Sequence, residues 1–133
     1  MTQHLFSYGT LELSEVFEAI TGKPANGIPA TIENYGRYLL QGESYPGIIA
    51  VDGAVTHGTL YLDLDAESLQ KIDHYEDTCY EKRRLRVITA DQREFDAMAY
   101  VISSDKSQLL SERSWDQQYF VKEHLQSFLR YIR

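Results

Sequence analysis

Hydrophobic and polar positions follow two different periods along this chain. Leu13, Val16, Phe17 and Ile20 recur at i, i+3, i+4 and i+7, with Glu12, Glu15 and Glu18 on the other side, which is the spacing of an amphipathic helix. Gly22 and Pro24 end it. Before it, residues 4–8 are apolar and aromatic and predict a short strand that breaks at Gly9, where a backbone without a side chain can turn sharply. Thr10 stands where a helix cap would.

Residues 28–51 read as short strands separated by Gly36, Gly42 and Tyr45-Pro46-Gly47, with the Pro-Gly pair as a turn. Residues 55–62 predict a further strand in which Leu60, Leu62 and Leu64 alternate against Tyr61 and Asp63. Asp65 then caps a short helix over 66–76. Residues 80–90 and 94–102 are rich in β-branched and aromatic side chains and form a hairpin around Asp91-Gln92-Arg93. After a polar connection over 103–114, a closing helix places Val121, Leu125, Phe128, Leu129 and Ile132 on one face, a stripe expected to pack on a sheet. Strands outnumber helices and no repeat or linker interrupts them, so the pattern predicts one α+β domain with a curled, largely antiparallel sheet.

Composition narrows the function. At 133 residues, 43% hydrophobic and 25% charged, the chain is expected to form a single globular domain rather than a disordered or fibrous segment. Its 20 acidic against 13 basic residues give a net charge of −7, which repels phosphate backbones and anionic lipid, so neither nucleic acid nor a membrane is the expected partner. The one cysteine, Cys79, excludes an intrachain disulfide and a multi-thiolate metal site, and suits a reducing compartment. Met1-Thr2-Gln3-His4 runs into the first strand without a signal-peptide pattern, and no apolar run approaches roughly 20 residues. A soluble cytoplasmic protein is expected. His4, His57, His74 and His124 lack ligand spacing, so no metal or cofactor is expected.

Two features carry candidate chemistry. On the helix over 66–76, Glu76 falls within about 40° of Leu69 and Ile72, on the apolar stripe. Burying a carboxylate costs several kcal/mol unless it is paired or protonated, and a carboxyl pushed toward neutral pH is suited to proton transfer. Pairing with Arg83, Arg84 or Arg86 is the structural alternative, and Asp73 is either a like charge that raises the proton affinity of Glu76 or a hydrogen-bonded bystander. The second feature is Phe6-Ser7-Tyr8-Gly9-Thr10-Leu11. A glycine turn between strand and helix exposes successive N–H groups beside the positive end of a helix dipole, which suits a carboxylate or an oxyanion. Cys79 with His74 offers a rival thiolate nucleophile, against a small buried side chain as the simpler role. Tyr80 either lines a cavity beside Glu76 or points into the core, and the ten tyrosines either form an aromatic surface or fill strands and core.

Phe6-Ser7-Tyr8-Gly9-Thr10-Leu11, Tyr45-Pro46-Gly47-Ile48, Gly58-Thr59-Leu60-Tyr61 and Ile72-Asp73-His74-Tyr75-Glu76 followed by Tyr80-Glu81-Lys82-Arg83 resemble, in order, the blocks of the gamma-glutamylcyclotransferase-like family, from Leu5 to about Val101. The resemblance implies a small α+β fold around a curled sheet or partial barrel with a few flanking helices and one cavity. It implies that Tyr8, Gly9, Thr10 and Leu11 cradle the glutamyl end of a small γ-glutamyl substrate and that Glu76 is the general acid/base, with release of 5-oxoproline and no cofactor. Thr10 stands where serine is also common, and Asp77 where glycine often follows the glutamate. A non-catalytic ligand-binding or protein-interaction domain on the same fold is the alternative.

Overall fold

The computed structural model describes residues 3–76 and 79–132; Asp77 therefore lies outside the described residues. Five strands, β1 (Gln3–Ser7), β2 (Gly27–Leu39), β3 (Pro46–Leu64), β4 (Tyr80–Thr89) and β5 (Glu94–Ile102), close into a barrel in the order β1-β3-β2-β4-β5. All neighbours are antiparallel except β1 and β5, which pair in parallel at Leu5 and Met98 and complete the ring. Helices α1 (Ser14–Thr21), α2 (Ala66–Tyr75), α3 (Gln117–Glu123) and α4 (Leu125–Ile132) accompany it. The mixed α+β architecture is the one the sequence predicts, with the curl carried to closure. No helix among the described residues is long and apolar enough to cross a membrane.

The period of two along the strands separates two cores. Phe6, Leu60, Ala97 and Ala99 face the barrel interior with Ile48 and Val87, while Leu5, Tyr61 and Tyr100 face outward and are covered by Val16, Phe17, Ile72 and the C-terminal helices. Tyr61 is therefore buried although it alternates with leucines, because the outer face of β3 is roofed by α1; its ring stacks on Phe17 at 4.4 Å. A strand covered on both faces loses the inside–outside contrast that alternation relies on.

Several local expectations change. The region over 28–51 is one long hairpin: β2 runs through Gly36, and Pro46-Gly47 opens β3 rather than forming a turn, the reversal falling at residues 41–45. Pro46 sits at the first strand position, where a missing N–H is tolerated. Thr10 is not an α-helix cap. A 3₁₀ turn, Thr10–Glu12, intervenes, and α1 starts from Leu13. Glu12 belongs to that turn and is packed under the loop, instead of facing solvent like Glu15 and Glu18. The closing helix is two helices broken at His124. Val121 leaves the apolar face and is 42% exposed, whereas Phe120, Leu125 and Leu129 are buried. Asp65 does cap α2, accepting from the Ser68 N–H at 2.8 Å, and the β4–β5 hairpin pairs from Tyr80↔Ile102 to Ile88↔Glu94.

Candidate active site

One end of the barrel carries a cavity of about 280 Å³ whose wall includes Tyr8, Gly9, Thr10 and Leu11 from the first loop, Glu76 from the end of α2 and Tyr80 from β4. The six residues singled out from sequence thus meet at one place. Glu76 reaches it by a different route from the one its helical position suggests. It is the C-cap of α2, with φ −71° and ψ 142°, its N–H still donating to the Ile72 carbonyl at 3.0 Å. The chain has already left the helix, so the wheel that aligned it with Leu69 and Ile72 does not set its direction, and the side chain is half-buried. Asp73 faces the surface, where it pairs with Lys82 at 3.0 Å and accepts from the Tyr100 hydroxyl. Arg83 pairs with Glu81 and Arg86 with Glu94.

Tyrosines surround Glu76. Tyr75 and Tyr100 share the cavity wall with Tyr8 and Tyr80, and Phe128, Tyr131 and Ile132 of α4 complete its rim. Burial, and then the negative charge of Glu76, push the Tyr8 hydroxyl well above the usual phenol range; Tyr80 is raised by burial, by Tyr8 and by Glu76. These hydroxyls stay protonated and act as donors. Tyr8 donates to the Tyr100 carbonyl, Tyr80 to the Pro46 carbonyl at 2.6 Å, and the hydroxyls of Thr10 and Tyr75 bond at 2.7 Å.

The glycine turn also differs in detail from its sequence reading. Its three-residue 3₁₀ helix separates Gly9 from α1, so any affinity for anions comes from individual N–H groups rather than from an α-helix dipole. A Cβ on Gly9 would stand 3.0 Å from the Pro46 ring, so the loop and the start of β3 close against each other here. Cys79 is 7% exposed and packs with Leu40 and Ile102, while His74 is exposed. Sequence reasoning missed Tyr75, Tyr100 and α4. Tyr75 directly precedes Glu76 and offered a signal, but the C-terminal stripe read as sheet packing because a helix face looks the same whether it covers a strand or a cavity.

Residues 5–117 match the family model described as gamma-glutamyl cyclotransferase, AIG2-like. The chain belongs to this family. Among curated relatives, the AIG2-like protein D of Arabidopsis thaliana is 25% identical over 98% of this chain and 87% of its own length, and protein AIG2 C of the same plant is 26% identical over 99% and 80%. The fold is also that of a solution structure of an Arabidopsis thaliana protein (TM-score 0.76, 24% identity, 100% of this chain and 81% of that one). A solved gamma-glutamyl cyclotransferase has a TM-score of 0.69 at 13% identity, covering 99% of this chain and 86% of that one. An AIG2-like protein of Mus musculus gives 0.68 at 19%, covering 86% and 88%.

Proposed function

We propose that this family member is a cyclotransferase that releases 5-oxoproline and a free amine or amino acid from a γ-glutamyl compound, with Glu76 as the proton carrier. The observation that supports the reading is the meeting of Glu76 and the Tyr8–Leu11 loop in the wall of one mostly aromatic cavity. The α-amine of the γ-glutamyl group attacks its own γ-carbonyl carbon. A C–N bond forms, a five-membered lactam closes, and the original γ-amide C–N bond breaks. Because nucleophile and electrophile are tethered, the protein mainly has to fold the substrate and move protons.

Two proton transfers limit such a reaction. The attacking nitrogen must lose a proton and the departing nitrogen must gain one, and a single carboxyl beside both can do these in sequence, a contribution typically of about 10²–10⁴-fold. Glu76 takes that role as carboxylate and then as acid. Protonated Tyr8 and Tyr80 leave it without a competing base, since burial keeps both phenols from ionising. The N–H groups of Gly9 and Thr10 serve the α-carboxylate or the tetrahedral oxyanion.

Incubating the protein with a panel of γ-glutamyl amines, γ-glutamyl amino acids and glutathione-like peptides, and assaying 5-oxoproline, tests the reading. Turnover by the native chain and none by Glu76→Gln supports it. Binding without turnover across the panel points instead to a ligand-binding domain on this fold.

A further inference from the structure

All four successive carbonyls of the loop have donors. Tyr8 O accepts from Arg37 Nη1 at 2.6 Å, Gly9 O from the Glu12 N–H at 3.1 Å, Thr10 O from the Leu13 N–H at 3.1 Å, and Leu11 O from the Tyr61 hydroxyl at 2.6 Å. In a planar trans peptide the N–H points opposite to the C=O of the same unit. Tying the Tyr8 and Gly9 carbonyls down therefore turns the Gly9 and Thr10 N–H groups away from Arg37 and from the 3₁₀ turn, and both residues line the cavity. The direction of the two amides is set from behind.

Of the four donors, two backbone N–H groups come with the turn itself and Tyr61 is a neutral hydroxyl. Arg37 is the charged one, and it arrives from β2. The same Nη1 also donates to the His57 carbonyl at 3.1 Å, the guanidinium lies 5.4 Å from the Trp115 ring centroid, and Glu12 Oε2 stands 3.7 Å away. Glu12 is in turn steadied by the Thr59 hydroxyl at 3.2 Å and by Gln117 Nε2 at 3.4 Å. A planar, always-charged fork held by a ring and a carboxylate keeps its donors in one orientation at little further cost in side-chain entropy. Arg37 is not part of the cavity wall.

We propose that Arg37 is a positioning residue: held by Glu12 and Trp115, it anchors the Tyr8 carbonyl and so aims the Gly9 amide, beside the Thr10 amide that the turn itself sets, at the carboxylate or oxyanion of the ligand. This rests on the loop being the anion-binding side of a γ-glutamyl site. A guanidinium that merely fastened β2 to β3 through His57 would affect stability alone. One that orients amides also sets how tightly the loop holds an anion.

The test compares native chain, Arg37→Met and Arg37→Lys in two readouts. The first is KM and kcat for 5-oxoproline release from the best γ-glutamyl compound of the panel. The second needs no turnover: the ¹H–¹⁵N shifts of Gly9 and Thr10 during titration with 5-oxoproline. Arg37→Met is expected to raise KM and the titration midpoint together by about tenfold or more, with kcat changed less, and Arg37→Lys to fall between Met and native. A folded Arg37→Met with native KM and native amide response overturns the proposal, as does a native protein whose Gly9 and Thr10 amides ignore the ligand. Should Arg37→Met fail to fold, Arg37→Lys decides alone, native values overturning and raised ones supporting. Amides that respond in the native chain and weaken in Arg37→Met, in a protein that releases no 5-oxoproline, refute the proposed reaction while sustaining the positioning role.

Discussion

The hydroxyls of Thr10 and Tyr75 hydrogen-bond at 2.7 Å, joining the loop that presents its amides to the residue that precedes Glu76. Sixty-five positions apart in sequence, the two halves of the candidate site are thereby fixed to each other at side-chain level. A bond of this kind is worth about 1 kcal/mol net, small for stability but large for geometry. Tyr75→Phe and Thr10→Val are each expected to lower kcat/KM for 5-oxoproline release by about tenfold while shifting thermal stability little, and Thr10→Ser, which keeps the hydroxyl, is expected to stay near native. The double variant should be no worse than either single one, because both remove the same bond.

Five buried or half-buried phenols, those of Tyr8, Tyr61, Tyr75, Tyr80 and Tyr100, are raised above the ordinary tyrosine range, in each case with burial as the largest cause. Glu76 contributes to four of these, all but Tyr61. A phenol whose folded pKa exceeds its unfolded value of about 10 binds its proton more tightly in the folded state, so the stability it contributes is intact below pH 10 and falls as pH rises beyond it. Absorbance titration near 295 nm should therefore show a late group of tyrosines whose ionisation coincides with unfolding. In Glu76→Gln one cause of the raised phenols is gone, so Tyr8 and Tyr80 should ionise earlier in the folded state, less stability should be lost above pH 10, and the alkaline unfolding midpoint should move to higher pH.

The first strand, the capping of α2 and the hairpin after it were legible because each depends on neighbouring residues: Asp65 caps its own helix, and the Asp91-Gln92-Arg93 turn places Gln92 at φ 69°. Glu76 and the loop stood out in the sequence because an acid ending an apolar stripe and a glycine after a strand are local anomalies, and both line the same cavity, although Glu76 has left the helix whose stripe drew notice to it. What stayed hidden depends on distant partners. Glu12 has the i, i+3 relation of a solvent-facing helical glutamate to Glu15, and the approach of β2, β3 and α3 buries it. Pro46-Gly47 has turn chemistry but lies in a strand, because Gly47 is pressed against Ile102; a Cβ there would sit 2.4 Å from that side chain. Tyr100 reaches the cavity through a register in β5 that sequence does not display.

Gly58 stands at a similar close approach. A Cβ at this position would lie 2.3 Å from the Ser7 carbonyl oxygen and 2.7 Å from the Phe6 ring, and the first of these is backbone of β1, which cannot swing aside. β1 must then separate from β3 just where it hands the chain to Tyr8. Gly58→Ala is expected to destabilise the fold by about 1–3 kcal/mol, seen as a lower midpoint in urea, and to raise KM in whatever fraction remains folded. Gly42, at φ 75° with open space around it, should by contrast lose only the backbone-strain cost of roughly 1 kcal/mol on replacement by alanine.

Glu12 supplies a pH dependence that can be separated from catalysis. Burial raises its pKa to about 7, against the opposing pull of Arg37 and the Thr59 hydroxyl. Between the unfolded value near 4.5 and 7 the folded chain holds a proton that the unfolded chain has released, so stability falls as pH rises through this window and levels off above it. The full loss is about 3 kcal/mol. Glu12→Gln carries no ionisable group there, and its urea midpoint should be close to native at pH 5, flat up to pH 8, and above native at pH 8. A Glu12→Gln protein whose midpoint keeps the native slope between pH 5 and 8 would assign that slope to another group. If Arg37 is held in place by the Glu12 charge, the affinity of the loop for 5-oxoproline should weaken in Glu12→Gln even where the fold is stabler. Measuring both at pH 8 sets the two effects in opposite directions, which a general loosening of the structure could not do.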